Sequence, residues 1–364
     1  MRVILANSEK SMRGGEYQTC LLAAGLLDRD CQVTLMSPPG ADINTEVSPR
    51  VILQHVKYEL PPLITPLRIR KYVKEWCPDI IHAQTSRAHT HMRLAGGMSS
   101  SFPPLVVSRR VAFDISGGLS GMLKYRRGVS RFLAVSEAAA SKLLEAGVRK
   151  EKIDIVRSGV DVETLAVARP DRALAKSLGL NEDDIVIGTV ASFEREKGYP
   201  TLIEAARKLT GRYPGIRFVF RGSGSMESEI KKQIEKNSPE NRISIVSTDI
   251  PLERFLPMLD IFVLPSYREG LSTALVSAVA AGVPSVGSNT GGIPEVLSSG
   301  AGMLFEPGNS EELVSSIEEL IRNPARREEL SARGRENAGE FDIGKTVKRT
   351  YEIYREISAK KRMN

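Results

Sequence analysis

The residues of this 364-residue chain that could do chemistry lie in loops, between short apolar runs. The stretch SYREGLSTALVSAVAAGVPSVGSNTGGIPEV, Ser266 to Val296, opens with one carboxylate, Glu269. An apolar run of helical character follows, and the pair Gly291-Gly292 comes after it. Glycines at a helix start leave backbone N–H groups unobstructed, and the dipole favours an anion there. In GTVASFEREKGYP, Lys197-Gly198 leads into a helix after a strand expected over 185–191, with Ser192 and Arg195 in the connecting loop. A lysine beside a helix N-terminus suits a diphosphate, because the cation offsets charge while backbone donors hold oxygens. RGSGSM gives a second glycine-rich strand exit at Gly222 and Gly224. LPSYREGL gives a third.

Nearer the N-terminus, NSEKSMRGGEY sets Gly14-Gly15 between the first strand and the first helix. That is either another anion site or a plain glycine-rich turn. His82 ends the run DIIHA, with Ser86 and Arg87 just beyond. A histidine there can hydrogen-bond a substrate hydroxyl, or be a satisfied core residue. Ser108-Arg109-Arg110 follows PLVV, and paired arginines can hold phosphate or carboxylate or simply face solvent. His89 and His91 lack a nearby cysteine or carboxylate to complete a metal set. The chain has neither a GxGxxG fingerprint nor a GxxxxGK[ST] loop.

These loops need elements to position them. RVILA, QVTLM, DIIHA, PLVVS and FLAVS, then DIVIGTVA, IRFVFRG, ISIVS, IFVLPS and PSVGS, are bounded by Gly and Pro and do not alternate. They read as strands buried on both faces of parallel sheets, with amphipathic stretches between them. The series restarts near residue 185 after the loop-like SGVDVETLAVARPDR, which reads as a linker between two doubly wound α/β domains. The length fits two domains of about 150 residues. Ligands in such sheets sit beyond the carboxyl ends of the strands, so the default site is a cleft between facing domains.

A hydrophobic fraction of 41% and a charged fraction of 26% describe an ordinary globular chain. No apolar run approaches the roughly 20 residues of a membrane span, and MRVILA enters a strand at once, without a signal peptide. Cys20, Cys31 and Cys77 lack C-x-x-C spacing, which predicts a cytoplasmic compartment without structural zinc. The net charge of +7 is unevenly spread. Residues 1–168 hold 23 basic and 16 acidic side chains, and 345–364 hold seven and two. The middle is left at −5. A basic lobe that includes Arg68, Arg70, Lys71, Lys74, Lys124, Arg126 and Arg127 suits an anionic membrane surface or a phosphorylated partner, and a merely solvated surface is the alternative. Nucleic acid is not expected.

The ordered set Gly14-Gly15-Glu16, PDIIHAQTSRA, SGVDVETL, KGYPTLIEA, RGSG, PSYREGL, AAGVPSVGSNTGGIPEV and AGMLFEPGN covers nearly the whole chain. It resembles a group 1 (family 4) retaining glycosyltransferase of the GT-B fold. The resemblance implies two facing Rossmann-like domains, 1–168 with 345–364 and 169–344, the helix at KTVKRTYEIYREI crossing back to the first. It implies a hexosyltransferase-type enzyme with a UDP- or GDP-linked sugar as co-substrate and no cofactor or divalent metal. The acceptor it implies is a cell-envelope glycan or a lipid-linked one, at the inner face of the membrane. Glu269 and Lys197 would be catalytic, Glu269 facing the sugar. Gly14, Gly15, Ser192, Arg195, Gly222, Gly224, Gly270, Leu271, Ser272, Ser277 and Glu295 would bind donor, and His82, Arg87, Arg109 and Arg110 acceptor. The departing phosphate is itself a base for the acceptor hydroxyl, so no further carboxylate is required.

Asp28-Arg29-Asp30 has the form of a metal-binding D-x-D but sits at the wrong edge of a sheet and reads as a turn. Three departures stand out. Ser192 replaces a common arginine, and Gln84 replaces a frequent histidine. Ser277 falls where the family carries a second glutamate, which holds ribose hydroxyls, so the ribose anchor is missing. A nucleotide-sugar epimerase of the same architecture and a non-catalytic sugar-nucleotide-binding protein remain as rivals. The epimerase would carry several catalytic carboxylates where only Glu269 and Glu295 are seen.

Overall fold

The computed structural model describes residues 1–59, 64–97, 102–115, 124–237 and 242–363. The chain divides into two compact units, Met1–Gly159 with Ile343–Asn364 and Val160–Asp342. By sequence the first unit carries 30 Lys+Arg against 16 Asp+Glu, a net of +14, and the second 21 against 28, a net of −7.

In the first unit seven parallel strands form one sheet, β1 (Arg2–Ala6), β2 (Gln32–Ser37), β3 (Ile52–His55), β4 (Ile80–Ala83), β5 (Leu105–Arg109), β6 (Arg131–Ala134) and β7 (Ile153–Ile155), in the order β3-β2-β1-β4-β5-β6-β7. Val3 to Ala6 are all fully buried, on both pleat faces. That is why the central strands read as unbroken apolar runs. The order reverses between β1 and β4, where Gln84 donates its N–H to the Ala6 carbonyl at 2.8 Å. This brings the β1 exit beside the β4 exit, the usual crevice of an open α/β sheet.

The second unit repeats the plan with β8 (Ile185–Val190), β9 (Ile216–Arg221), β10 (Ile243–Val246), β11 (Ile261–Leu264), β12 (Ser285–Ser288) and β13 (Gly302–Phe305), ordered β10-β9-β8-β11-β12-β13. Its reversal lies between β8 and β11, so the loops that begin at Ala191 and Pro265 emerge side by side.

Three strands escape the sequence reading, β3, β7 and β13, and all three are sheet edges. Ile52 and Leu53 are exposed, and β7 is only half-buried. An edge strand with a wet face lacks the continuous apolar signal. The stretch expected as a linker also differs. It forms two short helices, Val162–Ala166 and Arg172–Ser177, in the second unit. Asp161 and Asp171 cap them through side-chain bonds to the amides of Thr164 at 2.9 Å and Leu174 at 3.0 Å.

The last helix, Ile343–Met363, packs in the first unit against the helix Gly14–Leu27. Gly25 allows this: a Cβ there would fall 2.7 Å from both Val347 methyls. Val347, Ile353, Tyr354 and Ile357 join the core with Val3, Leu5, Leu26 and Leu35. Within that core the Tyr354 hydroxyl meets His82 Nδ1 at 2.6 Å, and Ser108 Oγ meets Nε2 at 2.9 Å. Burial, with Arg110 nearby, holds the His82 pKa down at about 3. Burial also puts His89 at about 3. Both rings are therefore neutral in the folded state.

Removing the Tyr354 hydroxyl leaves a buried ring nitrogen unpaired. We expect Tyr354→Phe to destabilise the first unit by about 1–3 kcal/mol in urea denaturation. Since the two histidines titrate near 6.5 when unfolded and about 3 when folded, stability falls as pH drops from 6.5 toward 3. A pH-independent midpoint over that range would contradict it.

Candidate active site

At the β8/β11 reversal, Lys197 Nζ donates to Glu269 Oε2 at 2.7 Å, with side chains only 19% and 11% exposed. Ser266 Oγ donates to the same oxygen at 3.3 Å, and the Gly270 amide to Oε1 at 3.2 Å. The carboxylate is thus held by a cation, a hydroxyl and a backbone N–H, at the mouth of the second sheet.

The backbone explains the placement. Arg195–Lys197 makes one tight turn, and Gly198, at φ +69°, opens the helix Tyr199–Arg212. A Cβ on Gly198 would overlap the Pro265 carbonyl oxygen, and one on Gly291, at φ +55°, would overlap the Glu269 carbonyl oxygen. The Tyr267 amide donates to the Glu196 carbonyl at 2.8 Å, which ties the two loops again. The first glycine of the pair Gly291-Gly292 is there because the backbone at Glu269 passes through the space a side chain would fill.

Several expectations change. The apolar run does not become helical at Glu269. The helix is Thr273–Ala280, and Ser272 caps it through its hydroxyl and the Leu275 amide at 3.3 Å. Gly270 and Leu271 are loop residues, so Glu269 and Ser277 do not share one continuous helix. Ser277 is 3% exposed, on the stripe it shares with the half-buried Thr273 and Ala274. After Gly291-Gly292 comes only the single turn Ile293–Val296, which contains half-buried Glu295. One turn supplies backbone N–H groups but no appreciable dipole. Gly222 and Gly224 accommodate protein backbone: a Cβ on the first would overlap the Ala191 carbonyl, and one on the second would lie 2.6 Å from the Phe193 carbonyl oxygen. Ser192 is half-buried and Arg195 exposed.

The first unit brings together a second group at its own reversal. Arg110 donates to the Gly15 carbonyl at 2.7 Å and to Gln84 Oε1 at 2.6 Å. Burial lowers its pKa to about 10. Asn7 donates to buried Glu16 at 2.9 Å, and burial raises the Glu16 pKa. A Cβ on Gly15 would meet only Arg110 Cδ, at 3.7 Å, so the protein itself does not require glycine there. Gly14 opens the same helix. His82 is a correction. It is 1% exposed with both nitrogens engaged, so no nitrogen remains for an acceptor hydroxyl. Arg87 is exposed. Arg109, 8% exposed, donates to Tyr125 OH at 3.3 Å and to the Phe113 carbonyl.

Sequence reading missed Ser266 and Glu16 as members of these groups. Both lay inside quoted motifs, but a serine or a glutamate beside glycine carries no distinguishing signal. Asp28-Arg29-Asp30 is a turn, with Asp30 at φ +56°. Among the described residues no group of three His, Cys, Asp or Glu is placed to hold a metal ion.

Residues 12–164 match the family described as Glycosyltransferase Family 4, and residues 171–337 match Glycosyl transferases group 1. The chain belongs to the group 1 glycosyltransferases. The lipopolysaccharide core biosynthesis glycosyltransferase LpsE of Rhizobium meliloti is 23% identical over 335 residues, 90% of this chain and 92% of that one. The amylovoran biosynthesis glycosyltransferase AmsK of Erwinia amylovora is 30% identical over 202 residues, 53% and 48% of the two chains. Anabaena HepE, solved in complex with UDP-glucose, superposes with a TM-score of 0.86 at 19% identity over 98% of this chain and 100% of its own. Two parallel-sheet Rossmann-like units of the GT-B class are therefore the fold of this glycosyltransferase.

The interlock of its loops is testable. A non-glycine residue in left-handed backbone costs about 1–2 kcal/mol before any overlap. Gly198→Ala should lower stability by about 2 kcal/mol or more and displace Lys197 from Glu269. A variant with unchanged melting and nucleotide affinity would show that the loops do not need this contact.

Proposed function

We propose that this glycosyltransferase moves a sugar from a UDP- or GDP-linked donor to a cell-envelope glycan or lipid-linked acceptor, with retained anomeric configuration and no divalent metal. The observation that carries the reading is the Lys197–Glu269 pair at the β8/β11 reversal. A nucleotide sugar presents an anion and neutral hydroxyls within one molecule, and the pair offers one partner to each.

In this reading Lys197 and neighbouring backbone N–H groups take the diphosphate, and Glu269 accepts hydrogen bonds from sugar hydroxyls. The bond between the anomeric carbon and the diphosphate oxygen breaks, and negative charge grows on the leaving group. Fixed donors aimed at that oxygen stabilise the transition state more than the ground state. The acceptor hydroxyl forms the new bond on the same face of the sugar and gives its proton to the departing phosphate oxygen. Products are the glycoside and the nucleoside diphosphate. Gly270, Leu271 and Ser272 shape the donor loop, and Glu295, Ser192 and Arg195 border it. In the first unit Gly14 and Gly15 belong to the donor in this reading, and Arg109 and Arg87 to the acceptor. The match to LpsE, a lipopolysaccharide core enzyme, supports an envelope acceptor.

Lys197→Ala should weaken nucleoside diphosphate binding about 10- to 150-fold in calorimetry while the protein stays folded, the loss expected for a charged hydrogen bond. Glu269→Gln should abolish transfer. Ser277→Glu places a carboxylate on the helix stripe of half-buried Thr273 and Ala274 and should tighten donor binding about 10-fold. Unchanged affinity in a folded Ser277→Glu protein would remove that helix from the ribose. Release of free nucleotide only when acceptor is present separates transfer from epimerisation and from mere binding.

The charge of the first unit supports membrane association. On the helix Ile64–Trp76, Leu67 is 51% exposed and Ile64 42%, beside exposed Arg68, Lys71 and Lys74. Among the described residues no helix is long and apolar enough to cross a membrane. We expect flotation with anionic vesicles that declines as salt rises. Equal recovery with neutral vesicles would count against it.

A further inference from the structure

We propose that Arg109 and Lys124, which flank the Tyr125 ring in the first unit, form with Arg93, one helical turn beyond the His89 ring that packs on Tyr125, a binding site for a phosphoryl group. The three cations come from different elements. Arg93 lies on the helix Ser86–Gly96, Arg109 ends β5, and Lys124 precedes Tyr125 in the chain. Lys124 Nζ lies 5.7 Å from the Tyr125 ring centre and Arg109 Cζ 5.9 Å.

None of the three has a carboxylate partner among the described residues. Lys124 donates to the Ser86 carbonyl at 2.7 Å and to Ser86 Oγ at 2.8 Å, which leaves its third N–H open. Arg109, more than nine-tenths buried, spends its outer nitrogens on Tyr125 and Phe113, and its Nε is buried without a partner. Arg93 Nε is buried and unpartnered as well. His89, one helical turn before Arg93, is fully buried against Tyr125 and Phe132. Burial, then Lys124, Arg93 and Arg109 in turn, keep its ring neutral. The nearest acid in sequence, Asp114, pairs with Lys142 at 2.8 Å. The undescribed stretches of this unit, 60–63, 98–101 and 116–123, contain no Asp or Glu.

Like charges drawn together under a protein surface repel one another, and a protein normally pairs them. Burial, with Arg109 and Arg93, lowers the Lys124 pKa to about 8, the direction expected of an uncompensated cation. A dianion relieves this arrangement. A phosphoryl group has up to two negative charges and three terminal oxygens, against three cations with open N–H groups. A carboxylate brings one charge and two oxygens. As an acceptor subsite the inference rests on the transferase reading, and it then assigns an acceptor that carries phosphate. As an anion site it stands without that reading.

The test is calorimetry of the full chain with glycerol 3-phosphate, alongside vesicles of phosphatidate in phosphatidylcholine. Wild type and Lys197→Ala should bind glycerol 3-phosphate equally, because Lys197 serves the other unit. Arg93→Gln and Lys124→Gln should each weaken it tenfold or more, and Arg93→Lys should retain most of the affinity. Without phosphate, both Gln variants should melt at or above wild type, since each removes repulsion. Preference for phosphatidate vesicles over glycerol 3-phosphate, lost in the same variants, would assign the site to a lipid phosphate. The reverse preference would assign it to a soluble one. No phosphate binding, binding unaffected by the Gln variants, glucuronate bound as tightly as glycerol 3-phosphate, or Gln variants that melt lower would each overturn the proposal. Phosphate binding without any sugar transfer would leave the site standing and remove the transferase reading alone.

Discussion

The close passage of two carbonyl oxygens over two glycines governs the second unit. Pro265 passes over Gly198 and Glu269 over Gly291, both at positive φ, where a side chain would be strained as well as crowded. Each contact joins two loops that leave neighbouring strands, β8 and β11 at the sheet reversal in the first case and β11 and β12 in the second. Once they are closed, Lys197 and Glu269 have little choice of position, and the 2.7 Å ion pair follows. Side chains held this way lose little further entropy when a ligand arrives. Preorganisation of this kind is what an electrostatic site needs in order to act on a growing charge.

The two units divide the electrostatic labour unevenly. The second is net −7, yet the proposed diphosphate site lies in it. Long-range attraction therefore does not bring the anion there, and beyond a Debye length of about 10 Å the surface charge is screened in any case. Binding there must rely on local donors. The first unit is +14, and part of that charge sits in buried Arg109 and half-buried Arg93, Arg110 and Lys124. Arg110 has neutral acceptors and a buried glutamate nearby, so its charge is accommodated within the fold. The other three have no such neighbour. Arg110 and Arg109, adjacent in sequence, thus have different tasks, one structural and one proposed for a ligand.

Sequence reading recovered what burial on both faces writes into the chain. β1, β4, β8 and β11 are unbroken apolar runs because helices cover both sides, and the residues just past their ends include Lys197 and Glu269. β3, β7 and β13 were lost because an edge strand shares its pattern with a loop. His82 was ambiguous, since a strand-end histidine looks the same whether a ligand or Tyr354, 272 positions away, takes its nitrogen. Gly222 and Gly224 had the signature of an anion loop, and packing against Ala191 and Phe193 produces that signature too. The cluster around Tyr125 was beyond reach. Arg93, Arg109 and Lys124 are spread over 32 positions, and only the fold removes their counter-charges.

The ion pair also links the two ends of the proposed donor. Lys197 and Glu269 neutralise one another at 2.7 Å, so in the proposed reading neither a free diphosphate nor a free sugar meets an unpaired group. A diphosphate that takes Lys197 leaves Glu269 short of its strongest donor, in a place where its side chain is only 11% exposed. An ionised group in that position gains from any hydroxyl that reaches it. The sugar of the same molecule supplies hydroxyls. Each half of a nucleotide sugar therefore lowers the cost of binding the other, and a nucleoside diphosphate or a sugar alone has to break the pair unaided. This coupling partly offsets the serine at 277. In the proposed reading, discrimination for the intact donor comes from a pair that only the whole molecule can replace, rather than from an added contact to the ribose.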